Sequence, residues 1–119
     1  MTIPKFRAWD IHEKKMFTND QIIIWNNNVY ANDGGKLKPD RLMGWSIDDK
    51  YLMQSTGLKD RNDIEIYESD VVSWIDNSIL LFGTVEFTKG MFLVNGDEPI
   101  SEAMEVIGNI YEHPDLVED

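Results

Sequence analysis

The stretch Val71-Val72-Ser73-Trp74-Ile75-Asp76-Asn77-Ser78-Ile79-Leu80-Leu81-Phe82-Gly83-Thr84-Val85-Glu86-Phe87 holds two apolar runs around one polar turn. Short runs rich in β-branched and aromatic residues, broken by Asp, Asn and Ser, read as strands joined in a hairpin. Upstream, Ile64-Glu65-Ile66-Tyr67 extends the first run, and the two together predict one strand bent at Glu68-Ser69-Asp70. Gly83 inside the second run predicts a bulge or kink, a common way to bend a strand around a small barrel. Downstream, Thr88-Lys89-Gly90 leads into Met91-Phe92-Leu93-Val94, and Asn95-Gly96 is a strong turn signal. Ser101 to Val106 predicts one short helical turn with Ser101 as its cap. Val106-Ile107-Gly108-Asn109-Ile110-Tyr111 reads as the last strand, which Pro114 ends. Alternation places Val85 with Phe87, and Phe92 with Val94, in the core. So many short strands in so few residues predict a compact barrel of the SH3 type.

The first half is built from the same parts. Lys5-Phe6-Arg7-Ala8-Trp9-Asp10 alternates, with Phe6 and Ala8 on one face and Arg7 and Trp9 on the other. Ile11 to Lys15 is polar enough to be a hairpin connection. Gln21 to Trp25 and Val29 to Ala31 flank Asn26-Asn27-Asn28, whose side chains tolerate the left-handed backbone a hairpin tip needs. Asp33-Gly34-Gly35 marks another turn, Pro39-Asp40 continues a loop, and Leu42 to Ser46 is a further apolar segment. Tyr51 to Leu58 predicts a strand that stops at Gly57. The charged turn Lys59-Asp60-Arg61-Asn62-Asp63 is the best boundary, giving a small β-rich N-terminal subdomain over residues 1–58 packed on a C-terminal SH3-like barrel over 59–119.

Composition removes whole classes of function. The 119 residues are 42% apolar and 28% charged, too apolar for a disordered chain despite a net charge of −11. With no cysteine there is no disulfide framework, no thiolate zinc site and no cysteine nucleophile. No apolar run approaches the roughly 20 residues of a membrane span. The opening residues MTIPKFRAWD lack a signal-peptide core, so a cytoplasmic protein of a bacterial cell is expected. Residues 1–60 carry nine Lys/Arg against eight Asp/Glu, a net of +1, whereas residues 61–119 carry two against fourteen, a net of −12. An acidic half of this kind repels DNA phosphates and disfavours direct nucleic-acid binding.

Several segments together resemble the YopX family, small proteins found mainly in phages and prophages of bacteria. The resemblance rests on KFRAWD at 5–10 followed by Met16, on LMQSTGLKDRN at 52–62 running into EIYESDVV at 65–72, and on EVIGNIYEHPDL at 105–116, with GTVEF at 83–87 in support. It implies a mostly β protein ending in an SH3-like barrel, and it brings no established biochemical activity. Asp63 and Ser69 stand where the family pattern usually has glycine. Both lie at bends where glycine would supply a positive φ without steric cost.

Catalytic signatures are missing. His12 and His113 have no partner at metal-ligand or triad spacing, no G-x-S-x-G elbow is present, and Gly34-Gly35 lacks the lysine of a phosphate loop. No cofactor is expected. Glu65, Glu68 and Asp70 form the one acidic cluster worth testing as a weak site for a hard cation, with Asp97, Glu98 and Glu102 a second. In a regular strand Glu65 and Glu68 would point to opposite faces, and Asp70 fits better as an acceptor of backbone N–H groups at the bend. Lys5, Arg7, Lys14 and Lys15 near Trp9 are a small basic group, too small to serve base stacking by the aromatics. The leading expectation is a non-catalytic phage or prophage accessory protein that binds another protein, from host or phage, or assembles with itself as a homo-oligomer. An acidic mimic of DNA that blocks a basic host DNA-binding protein is the alternative. A metal-dependent nuclease or phosphatase using Glu65, Glu68 and Asp70 is the third.

Overall fold

Paired left-handed residues set the hairpins. Asn26 and Asn27 (φ 51° and 65°), Asn77 and Ser78 (52° and 69°), Lys89 and Gly90 (54° and 78°), and Asn95 and Gly96 (55° and 80°) all turn the chain with positive φ at consecutive positions. Consecutive positive φ gives turns whose twist matches that of the flanking strands. The computed structural model describes residues 3–31 and 45–116. The expected turn at Asp33-Gly34-Gly35, the loop at Pro39-Asp40 and the segment Leu42 to Gly44 lie outside the described residues.

The chain is mostly β and divides into two compact units, Met1–Gln54 and Ser55–Asp119. The division falls inside a strand, where pairing partners change. In the first unit, β1 (Phe6–Asp10) pairs antiparallel with β2 (Lys15–Phe17) and with the start of β6 (Leu52–Lys59), so that Ala8 faces both Phe17 and Leu52. A second sheet joins β3 (Ile22–Trp25), β4 (Asn28–Ala31) and β5 (Trp45–Ile47) in that order. Ala8, Phe17, Ile22, Val29, Ala31 and Ile47 make the core of this unit. The alternation in β1 holds for Ala8, but Trp9 is buried as well, so this strand is covered on both faces.

In the second unit, the rest of β6 pairs with β7 (Glu65–Tyr67). The strand does not stop at Gly57. It passes through it at φ +79°, with a register shift between Ser55 and Lys59. The main sheet is the meander of β8 (Asp70–Asp76), β9 (Ile79–Thr88) and β10 (Met91–Val94). Its edges carry β11 (Glu98–Pro99) on β10 and β12 (Glu105–Asn109) on β8. Return of the last strand to the first of the meander is the order expected for an SH3-type barrel, here curled into a half barrel. Ile66, Val72, Val85, Val94 and Met104 fill its core, with Trp74, Ile100 and Val106 packed against them.

Four local expectations change. β7 and β8 are separate strands, because Ser69 takes φ 72° and its N–H donates to the Val85 carbonyl (2.8 Å), which turns the chain instead of bending one strand. Gly83 makes no bulge. The β8–β9 register runs through it unbroken, and a Cβ there would meet Val94 Cγ1 at 2.2 Å and Asn95 Nδ2 at 2.7 Å. Its function is close approach. Ser101 to Met104 is a single turn, closed by a bond from the Met104 N–H to the Ser101 carbonyl (3.2 Å), and Ser101 Oγ accepts from the Ala103 N–H (3.2 Å). Phe87 shares the core face of Val85 but lies beyond the core, 54% exposed and edge-on to Phe92 with ring centroids 4.9 Å apart.

Candidate functional site

The acidic cluster proposed from sequence is held apart by local hydrogen bonding. Asp70 is 1% exposed, and its Oδ2 accepts the N–H of Tyr67 at 2.8 Å. That bond ties the end of β7 to the start of β8. Glu65 is half-buried in β7, where the Ser55 hydroxyl of β6 donates to it. Glu68 is half-buried in the turn between the two strands. Among the described residues, no group of three or more His, Asp or Glu side chains is placed to hold a metal ion. Asp97 and Glu98 lie on the exposed stretch at β11, and Glu102 on the exposed turn before Met104.

A different acid organises this unit. Asp60, 6% exposed, accepts three backbone N–H groups: those of Asn62 (2.8 Å) and Ile64 (2.9 Å) on Oδ1, and that of Val106 (2.8 Å) on Oδ2. Its own N–H donates to the Ile64 carbonyl at 2.8 Å and its carbonyl accepts from Asp63 at 3.0 Å. Burial pushes the carboxyl up, but the bonds from Val106, Ile64 and Asn62 and the charge of Arg61 outweigh it, so the pKa lies below the ordinary 3.8. The local part, Asp followed by Asn two residues on, is an Asx-type signature that sequence carries. The bond to Val106 is not. Asp60 and its neighbours Leu58, Lys59, Arg61 and Asp63 also line an open groove of about 400 Å³ with Ile100, Ser101 and Glu102.

Trp9, the basic residues near it and the two histidines are each engaged locally. Trp9 is buried, Arg7 Nε lies 3.3 Å from Met53 Sδ, and Lys15 Nζ lies 5.3 Å over the Phe17 ring. His12 is exposed, with its backbone N–H donating to Asp10 (2.9 Å), and His113 Nδ1 accepts the Asn109 N–H at 3.3 Å.

The feature that demands an explanation is the far end of the β8–β9 hairpin. Beyond Ser73, which pairs with Glu105, β8 has no partner in β12, and β10 pairs with β9 only from Val85 onward. Asn95 closes the edge of β9 at that point. Its N–H donates to the Thr84 carbonyl (2.9 Å), its Oδ1 accepts from the Thr84 N–H (3.1 Å), and its Nδ2 donates to the Phe82 carbonyl (3.3 Å). Past it, Trp74–Asp76 and Ile79–Leu81 form a two-stranded arm. Cross-strand partners share a face. Ile75 pairs with Leu80, and Phe82 with Ser73, so Ile75, Leu80 and Phe82 lie on the face opposite the core residues Val72 and Val85. They are 69%, 55% and 51% exposed, and Ile79 at the tip is exposed too. Alternation in sequence puts these residues off the core face. Whether another layer covers them is a tertiary fact that sequence does not carry.

A chain of two small β units, one of them a half barrel with an apolar arm, falls in the class of small all-β proteins. The family model described as YopX protein matches residues 5–118, and the chain belongs to the YopX family. It is similar to the crystal structure of protein EF1440 from Enterococcus faecalis, with 26% identity and a TM-score of 0.69 over 99% of this chain and 100% of that one. The X-ray structure of yopX from Bacillus subtilis is also similar in fold, with 23% identity and a TM-score of 0.66 over 96% and 98% of the two chains. No functionally curated protein matches the chain. Among the described residues, no helix is long and apolar enough to cross a membrane.

Proposed function

We propose that this YopX-family chain is a non-catalytic accessory protein of a phage or prophage, working in the bacterial cytoplasm by binding protein through the β8–β9 arm. The exposed trio Ile75, Leu80 and Phe82 carries the reading. Contiguous apolar side chains on one open face mark contact surfaces, whereas single exposed ones need no explanation. The strand edges of the arm add backbone groups to which a partner can pair. A photo-reactive residue placed at Phe82 in bacterial cells tests this, with the same residue at the exposed Glu98 as control. A discrete protein adduct is expected from position 82 and not from 98, whether to another chain or to a second copy. No adduct, or equal adducts at both positions, defeats the reading.

A further inference from the structure

The charge around the arm is all of one sign. Between Val71 and Glu86 the charged residues are Asp76 and Glu86, and no Lys or Arg occurs. Asp76 stands at the tip, paired with Ile79, and alternation turns it to the face opposite Ile75. At the other end of the apolar trio, Glu105 of β12 pairs with Ser73, which in turn pairs with Phe82, so Glu105, Ser73 and Phe82 form one row across the outer face. Glu105 Oε2 accepts from Asn62 Nδ2 at 3.2 Å, which steadies the side chain beside that row and leaves its charge in place. Glu86 continues the same face of β9, two alternations beyond Phe82 and exposed. The cations of this unit are Lys59, Arg61 and Lys89. Lys59 is spoken for by Asp63 at 3.6 Å, and Lys89 sits in the turn at the opposite end of β9.

Arg61 acts on the buried Asp60, the five strands of the sheet hold no Lys or Arg, and an apolar patch that shares its face with carboxylates discriminates among occupants. A second copy presenting the same face would bring Glu86 and Glu105 against their counterparts, and like charges placed together at an interface are disfavoured. A partner whose apolar side chains are flanked by Lys or Arg meets both demands at once. We infer that the outer face of the β8–β9 arm docks a basic protein segment, its apolar side chains covering Ile75, Leu80 and Phe82 and its cations facing Glu86 and Glu105. The inference rests on the arm being a protein-contact surface and adds the chemistry of what it contacts. It also separates this site from a charge-only mimic of DNA, because the apolar trio is required.

The test uses the full chain and two synthetic peptides sharing one alternating Val/Thr core, one flanked by lysines and the other by glutamates. Titration followed through the amide signals of Ile75, Leu80 and Phe82 is expected to show the lysine peptide binding about tenfold or more tightly at low salt, with the preference shrinking as salt rises. Leu80→Ser with Phe82→Ser is expected to abolish binding. Glu86→Gln with Glu105→Gln is expected to equalise the two peptides. Unchanged unfolding midpoints in these variants show that they fold. Equal binding of both peptides by the wild type, or no binding of either, overturns the inference. So does binding that survives loss of Leu80 and Phe82 and vanishes with the two acids, which is charge mimicry alone. A dimer in sedimentation that Leu80→Ser dissolves makes the occupant a second copy, and the inference then fails while the arm remains a contact surface. Absence of any adduct at position 82 removes the contact surface itself.

Discussion

Replacing Asp60 is the most severe single-site test of how the second unit is held together. Its carboxylate accepts three backbone N–H groups from two separate segments, with Asn62 and Ile64 on one side and Val106, 46 positions away, on the other. In Asp60→Ala all three donors lose their partner. Asn62 and Ile64 are exposed, so water can replace part of their bonding, and about 1 kcal/mol each is the expected loss. The Val106 N–H sits on a half-buried strand, where an orphaned donor costs about 1–3 kcal/mol. The sum is a destabilisation of about 3–5 kcal/mol, a large share of what holds a domain of this size. Asp60→Asn keeps one acceptor oxygen and is expected to cost about half as much. Urea unfolding followed through the amide signals of Val72 and Val106 measures both, with Glu102→Ala, an exposed acid, expected within about 0.5 kcal/mol of wild type. Acidity supplies a second readout. A carboxyl whose folded pKa lies below its unfolded value stabilises the fold above the unfolded value and gives that up as pH falls through the folded one. The advantage of wild type over Asp60→Asn is therefore expected in full at neutral pH and to shrink below 3.8, the ordinary value from which this group is lowered. An Asp60→Ala variant within about 1 kcal/mol of wild type, or an advantage that grows on acidification, refutes the reasoning.

Three further outcomes are expected. Gly83→Ala places a Cβ 2.2 Å from Val94 Cγ1 and should cost about 1–3 kcal/mol, whereas Gly57→Ala, with open space around it but φ +79°, should cost about 1 kcal/mol; equal effects in thermal unfolding would show that packing is not what Gly83 serves. Ser69→Gly relieves a left-handed serine at φ 72° and should stabilise by up to about 1 kcal/mol by denaturant midpoint, with a loss counting against the turn geometry. Asn95→Ala removes the side-chain bonds to Thr84 and Phe82, and faster hydrogen exchange confined to Thr84 and its neighbours is expected, with no change sinking the view that Asn95 closes the edge of β9.

What sequence made legible was whatever is settled within a few residues. Asn26-Asn27 and Asn95-Gly96 announce turns because their own backbone preferences decide them. Asp63 and Ser69, standing where the family pattern has glycine, do take the positive φ (66° and 72°) that glycine would supply. Gly83 was ambiguous because a bulge and a close approach leave the same mark in sequence, and the atoms that settle it belong to Val94 and Asn95 on the far side of a hairpin. Alternation assigned Phe87 correctly to the face of Val85, yet a face outlasts the core beneath it, and Phe87 lies past the end. The candidate site followed the same rule. Glu65, Glu68 and Asp70 are adjacent in sequence, but separate strands and a turn give Asp70 to a backbone N–H and Glu65 to Ser55, while the bond from Val106 to Asp60 crosses the unit and leaves no trace in local sequence.

These placements change what the net charge of −11 means. Counted along the chain, the excess acid of the second half looks like one broad negative surface. In the fold, Asp70 of that half is buried and bound to a backbone N–H group, as is Asp60 just before it, so both serve as internal fasteners. Asp63 meets Lys59, and Glu65 is engaged by Ser55. A carboxylate buried on backbone donors is not free to recognise a partner, because its lone pairs are already engaged inside the fold. Glu86 and Glu105 differ. They flank an apolar face whose residues have no cover, and electrostatics acts on a partner most strongly where desolvated apolar contact holds the charges close. Selectivity for a basic partner therefore follows from where two carboxylates stand relative to Ile75, Leu80 and Phe82, and a chain with the same total charge but without that arm would not share it.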